Sequence, residues 1–172
     1  MQGYSAPVLI ALALAGCATT NNQTTPLATA RLADAAGREL GTAILSHRGN
    51  DTLIDLTVRG TAGAVHGLHL HAVGKCEAPF SSAGPHLNPS GHQHGRDNPM
   101  GAHLGDLPNV TINASGVGTT SLNLGNDPAY FAATLFDADG TAIVLHAAAD
   151  DYRTDPSGNS GARIACGVLI RP

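Results

Sequence analysis

From Leu27 onward, apolar and polar residues alternate in short runs broken by turn residues, the period-two pattern of half-buried strands. ATARLADA (28–35), ELGTAILSH (39–47), TLIDLTVR (52–59) and AVHGLHLHAV (64–73) form a first group of strand candidates. They are separated by Ala36-Gly37, Gly49-Asn50 and Thr61-Ala62-Gly63. NVTINA (109–114), GTTSLNL (118–124), AATLFD (132–137), GTAIVLHA (140–147) and RIACGVLI (163–170) form a second group, again divided by Gly-, Asn- and Asp-rich turns. No stretch shows a convincing amphipathic helix. About eight strands at this spacing predict an all-β sandwich or barrel.

The chain ahead of Leu27 has a different character. Val8–Ala15 is an unbroken apolar run, too short to span a bilayer but long enough for a signal-peptide core. It ends in Leu14-Ala15-Gly16-Cys17, which resembles the bacterial lipoprotein box. Residues 1–16 are therefore expected to be removed, leaving Cys17 as a lipidated N-terminus; an ordinary secretory leader is the alternative. Residues 17–26 are expected to form a flexible tether, since ATTNNQTTP is small and polar. The folded domain is then 27–172. The expected location is the periplasm, membrane-anchored through the lipid or soluble after cleavage of the leader.

Composition narrows the partners and the core. Only 13% of residues are charged and the net charge is −4, with no Lys/Arg run, which argues against a nucleic-acid partner. Trp is absent and aromatics are 3%, so the core must come from Val, Leu, Ile and Ala.

The chemistry concentrates between the two strand groups. In an extended HGLHLH, His69 and His71 point to one face while Leu68 and Leu70 point to the other. Two imidazoles on one strand face are half of a copper or zinc site. Residues 84–109, GPHLNPSGHQHGRDNPMGAHLGDLPN, make a Gly/Pro-rich loop too long for an ordinary connection. His86, His94, His103 and Asp106 within it complete a four-coordinate N/O set suited to a closed, structural zinc site.

HGLHLH, AGPHLNP, AHLGDLPN, VLHAAADD and GARIACGV occur in the order found in the copper–zinc superoxide dismutases, which residues 27–172 resemble. The resemblance implies a flattened, eight-stranded Greek-key barrel carrying a long metal-binding loop and a second active-site loop. It implies His69, His71, His86 and His146 as copper ligands, and His86, His94, His103 and Asp106 as zinc ligands. His86 would then serve both metals. The implied activity converts superoxide to dioxygen and hydrogen peroxide by copper redox cycling, with His86 also carrying a proton and zinc structural.

The same resemblance makes Asp150 a carboxylate joining His69 to His94, and Arg163 the cation that attracts and orients the small anion. Because the zinc residues lie on a loop, zinc is expected to depend on Asp150 more than copper does. Ser157 would narrow the channel, with Lys75, Arg96 or Arg153 as further cations, and His66 would hold backbone near the copper loop. If Cys17 carries lipid, Cys76 and Cys166 remain of the three cysteines. The resemblance pairs them in a disulfide closing about ninety residues, a stabilisation of roughly 4–5 kcal/mol by chain entropy, which an oxidising compartment permits. It also allows a homodimer. Relatives that bind metal without this activity would be expected to lack copper histidines or the arginine; this chain has both.

Overall fold

The alternation from Leu27 onward becomes eight antiparallel strands in one curled sheet of order β5-β4-β7-β8-β1-β2-β3-β6. They are β1 (Thr24–Ala33), β2 (Glu39–Arg48), β3 (Asp51–Arg59), β4 (Val65–His71), β5 (Asp106–Thr111), β6 (Val117–Gly125), β7 (Ala142–His146) and β8 (Arg163–Val168). This is a computed structural model, and it describes residue 2 and residues 23–172. The expected leader and Cys17, where lipidation is expected, lie outside the described residues. Among those described, no helix is long and apolar enough to cross a membrane.

The edge strands β5 and β6 meet through the Asn113–Gly116 turn, where Asn113 N–H donates to Val117 O at 2.9 Å, so the sheet nearly closes into a barrel. The β3–β4 and β6–β7 connections each cross to non-adjacent strands, which is Greek-key topology. One face of each strand fills the interior: Ala28, Ala30 and Leu32 on β1, Ile54, Leu56 and Val58 on β3, Leu68 and Leu70 on β4, Ile143 and Leu145 on β7. With so few aromatics, this aliphatic interior is what the barrel has to bury.

The opposite face of β4, β7 and β8 is also covered, by loops rather than by a second sheet. Every residue of β7 is buried, which explains why TAIVLH reads as a continuous apolar run and not as an alternation. Two loops provide the cover, residues 72–105 after β4 and 147–162 after β7. The first is stitched to β4 by Leu70 N–H to Gly105 O and Leu87 N–H to Leu70 O, both 2.9 Å. The second folds back over β4 through Gly67 N–H to Ala148 O at 2.8 Å.

Two expectations need correction. AATLFD is not a strand: Pro128–Leu135 is an α-helix, α1. Its signals are local, since Asp127 accepts from Tyr130 N–H as N-cap, Pro128 opens the first turn, and Phe131 and Leu135 bury the i, i+4 face. The other concerns Thr24–Pro26, expected within the flexible segment: β1 starts at Thr24, and Thr24–Pro26 pair with Arg48–Ser46 of β2. Backbone pairing with an existing strand orders a polar segment that could not bury a core of its own.

Candidate metal centre

Strand geometry brings the first ligands together. His69 and His71 project from the outer face of β4, and β7 pairs beside it with His69 opposite Val144. His146, the last residue of β7, joins them from the adjacent strand. His86 arrives from the long loop through a bridge between its backbone and that of His71. One ring nitrogen from each of these four histidines lies within 4.8 Å of the others, and all four residues are buried.

The nitrogens themselves show what the cluster is for. His69 Nδ1, His71 Nε2 and His146 Nε2 are buried and have no hydrogen-bond partner. Each ring is meanwhile held by its other nitrogen: His71 Nδ1 donates to Gly84 O at 2.9 Å, His146 Nδ1 to Gly161 O at 3.2 Å, and His69 Nε2 to Asp150 Oδ2 at 2.8 Å. These bonds select the tautomer that leaves the inner nitrogen a bare lone pair. Buried polar atoms are nearly always paired, so three converging lone pairs without a donor fit a metal cation.

A second cluster adjoins the first. Asp106 Oδ2 accepts backbone N–H groups from Gly95 (2.9 Å) and His103 (3.0 Å), which aims Oδ1 inward. His86 Nδ1 and His94 Nδ1 lie 3.0 Å from Oδ1, and His103 Nδ1 lies 3.1 Å from it. His94 Nδ1 is off the line that a hydrogen bond requires and so stays unpartnered. Three imidazole nitrogens crowding one carboxylate oxygen fit a four-coordinate N₃O zinc set. His69 also falls within 4.8 Å of His86, His94 and Asp106. Its ring stacks on His86 at 3.9 Å, and its Nε2 is taken by Asp150, so His103 is the better fourth member of this set. His86 belongs to both clusters.

Asp150 lies between the clusters, with its Oδ1 accepting from His94 Nε2 at 3.0 Å and its Oδ2 from His69 Nε2. Gly158 is what makes room for this bridge. It has φ +62, and a Cβ there would fall 1.8 Å from Asp150 Oδ1 and 2.6 Å from His94 Nε2.

Sequence patterns gave no signal for the residues that hold Asp150. Asn109 brackets its backbone, accepting from Asp150 N–H at 2.8 Å and donating to Asp150 O at 2.9 Å. Tyr152 N–H donates to Asp150 Oδ1 at 2.6 Å, while Tyr152 Oη accepts from Asn109 N–H at 2.7 Å. An isolated tyrosine in a polar loop was the available hint.

Burial and hydrogen bonding set the protonation of the metal-free site. Burial depresses His71 to about 2, with nearby cationic groups adding to it. It lowers His86 to about 4 against the opposing bond to Asp106, and His146 also to about 4. His94 goes the other way: burial works against its charged form, yet the Asp106 and Asp150 carboxylates raise it to about 9. Burial opposes ionisation of Asp106 and Asp150, but the histidine bonds hold both well below the usual carboxylate range.

A cavity of about 420 Å³ leads to the four-histidine cluster, lined by His86, His146, Gly84, Ser157, Gly161 and Arg163 among others. Arg163 is its cation among the described residues. The other cations weighed from sequence are engaged elsewhere or do not line it: Lys75 pairs with Glu77 at 3.0 Å, and Arg96 stacks on the Tyr152 ring at 3.8 Å. His66 donates from Nδ1 to His146 O at 2.7 Å and so holds the backbone there, as expected. Cys76 and Cys166 form the expected disulfide, 90 residues apart, tying the long loop to β8.

Known proteins share both fold and sequence with this chain. The sequence profile of the family described as copper/zinc superoxide dismutase (SODC) matches residues 39–169. A superoxide dismutase (Cu-Zn) 2 of Aquifex aeolicus is 40% identical over 149 residues, covering 81% of this chain and 84% of the relative. The superoxide dismutase-like protein YojM of Bacillus subtilis is 46% identical over 116 residues, 63% of this chain, which spans 57% of that relative's length. The crystal structure of a SOD-like protein from Bacillus subtilis superposes with a TM-score of 0.77 at 35% identity, over 85% of this chain and 100% of that one. With the barrel, the two adjoining clusters and these relatives in agreement, the chain belongs to the copper/zinc superoxide dismutase family.

Proposed function

We propose that this protein is a superoxide dismutase that holds copper at His69, His71, His86 and His146 and zinc at His86, His94, His103 and Asp106. The observation that carries this reading is the set of buried, unpartnered ring nitrogens at the end of a cavity whose cation is Arg163. Relatives named only as dismutase-like share the fold, so the fold alone does not decide activity; the donor set of this chain is what supports the reading.

Copper, when bound, supplies the one-electron redox chemistry that turns superoxide alternately into dioxygen and hydrogen peroxide, while zinc supplies a fixed dication. The chain's own residues do the rest. Arg163, permanently charged and set in the cavity wall, draws the monoanion in and orients it. His86 is held at Nδ1 by Asp106, which leaves Nε2 as the atom that would take up and return a proton. Ser157 and Gly161 keep the cavity narrow enough to favour a small anion.

The purified chain is expected to hold one copper and one zinc and to consume superoxide. His146→Ala is expected to abolish copper binding and activity while retaining zinc, as read by element analysis. Equal loss of both metals overturns the assignment of His146 to copper alone.

The proposal extends to an exported lipoprotein anchored at Cys17 in the periplasm. The leader pattern supports it, and so does the disulfide, which persists in oxidising compartments. Mass spectrometry of membrane-extracted protein should find a mature chain beginning at Cys17 with acyl mass, and Cys17→Ser should release it into the soluble fraction. A mature chain starting elsewhere with no added mass refutes the anchor. A homodimer, which the family resemblance allows, is the remaining part of this reading; sedimentation velocity of the mature chain decides between one copy and two.

A further inference from the structure

We propose that Phe80 is a positioning residue for Arg163: its buried ring pegs the turn at 77–84 to the outer face of β7 and β8, and that turn supplies the two carbonyls holding the guanidinium. This rests on the reading of Arg163 as the anion-capturing group.

The contacts form one connected chain. Arg163 Nη1 donates to Phe80 O and Nη2 to Gly84 O, both at 2.7 Å. Gly84 O also accepts from His71 Nδ1 at 2.9 Å, so the same turn orients the arginine and one histidine of the copper cluster. An arginine beside an anion-binding cavity has many rotamers, and two fixed acceptors restrict it to few. Whatever locates those carbonyls therefore locates the charge.

The turn does not locate them unaided. Glu77, Ser81 and Ser82 are polar, and the local hydrogen bonds of Ser82 Oγ (Glu77 N–H at 2.8 Å, Lys75 O at 3.2 Å) are exposed. Phe80 is different: it is 4% exposed and sits in a small apolar cluster with Ala83, Ala142, Val144 and Cys166. Its backbone adopts φ 74, a left-handed conformation that a residue with a bulky side chain avoids unless other contacts enforce it. Ring burial is the side-chain contact available to hold it, beside backbone bonds such as Val73 N–H to Ala83 O at 3.0 Å and Gly84 N–H to Ser81 O at 3.1 Å. Phe80 lines a separate groove of about 610 Å³ beside the disulfide and not the cavity that Arg163 lines, so it acts only through the turn.

The test is a double-mutant cycle on the full mature chain, with metal content checked by element analysis. Phe80→Ala is expected to lower kcat/KM for superoxide about tenfold, the lower end of what steering contributes, and to weaken azide binding in proportion. Phe80→Leu keeps an apolar peg and should restore both. In an Arg163→Ala background, Phe80→Ala should add less than about twofold, because coupled residues are not additive. In the metal-free protein, the Arg163 Nε–Hε resonance should shift or broaden in Phe80→Ala and return in Phe80→Leu.

An equal fold-loss in the Arg163→Ala background, or an Arg163 resonance unmoved by Phe80→Ala, overturns the inference while leaving the role of Arg163 intact. If Arg163→Ala itself changes neither kcat/KM nor azide affinity, the underlying reading of Arg163 fails and this inference fails with it. Should Phe80→Ala not fold, Phe80→Gly, which removes the ring and suits the left-handed backbone at this position, carries the same comparison.

Discussion

Replacing Asp150 by Asn tests how the two metal sites communicate. Asp150 Oδ1 accepts two donors, His94 Nε2 at 3.0 Å and Tyr152 N–H at 2.6 Å, while Oδ2 accepts only His69 Nε2 at 2.8 Å. Asparagine has one acceptor oxygen, and placing it where two donors converge satisfies more bonds. Its amide then faces His69 Nε2–H, donor against donor. His69 must change tautomer to accept from that amide, and this puts a proton on Nδ1, the nitrogen that otherwise presents a bare lone pair to the copper cluster. The hydrogen bonding thus reverses the ranking expected from sequence: copper affinity should fall more than zinc affinity. Loss of one buried hydrogen bond to a charged group is about 1.5–3 kcal/mol, or about 10- to 150-fold at 1.4 kcal/mol per decade. Changes to groups that orient ligating histidines span about 10- to 100-fold, in agreement. Competitive titration of the metal-free protein with a chromophoric chelator, run separately for each metal, provides the assay. Unchanged copper affinity, or a loss confined to zinc, refutes the tautomer argument.

Reversing the charge at Arg163 with Glu should lower kcat/KM by about 10- to 1,000-fold and invert or flatten its dependence on ionic strength, because steering is screened by salt; wild-type rates at low salt would refute steering. The metal-free form should be most stable near neutrality. His71, His86 and His146 have folded pKa values below their unfolded value, so the unfolded chain binds more protons and stability is lost as pH falls from about 6.5 toward 4. His94 has a folded value near 9, so its contribution is complete below about 6.5 and is lost as pH rises through 9. Urea midpoints measured from pH 5 to 9 check both limbs, and a steady rise through pH 9 would contradict the His94 assignment.

Much of this protein was legible in its sequence because the relevant physics is local. Period-two alternation places Ala28, Ala30 and Leu32, or Ile54, Leu56 and Val58, on one face whatever the strand pairs with. The same rule puts His69 and His71 side by side. The signals for α1 were also local, in Asp127 and Pro128, and were outweighed by an apolar run that also reads as a strand. What determines a cap, a turn or a strand face lies within a few residues of it.

Other features exist only once the barrel has closed. The carbonyl groups of Phe80 and Gly84 that hold Arg163 come from residues 83 and 79 positions away, and a carbonyl has no residue identity to read. Likewise, the family resemblance pointed to Asp150 as a bridge, but which oxygen serves which histidine depends on Asn109 and Tyr152 fixing its backbone and on Gly158 leaving space beside it. Those contacts join segments brought together by strand register and loop closure. The chain by itself determined which donors are available and which strand face carries them; only the tertiary structure decided which atoms they present to the metals, because side-chain direction is set by partners distant in sequence.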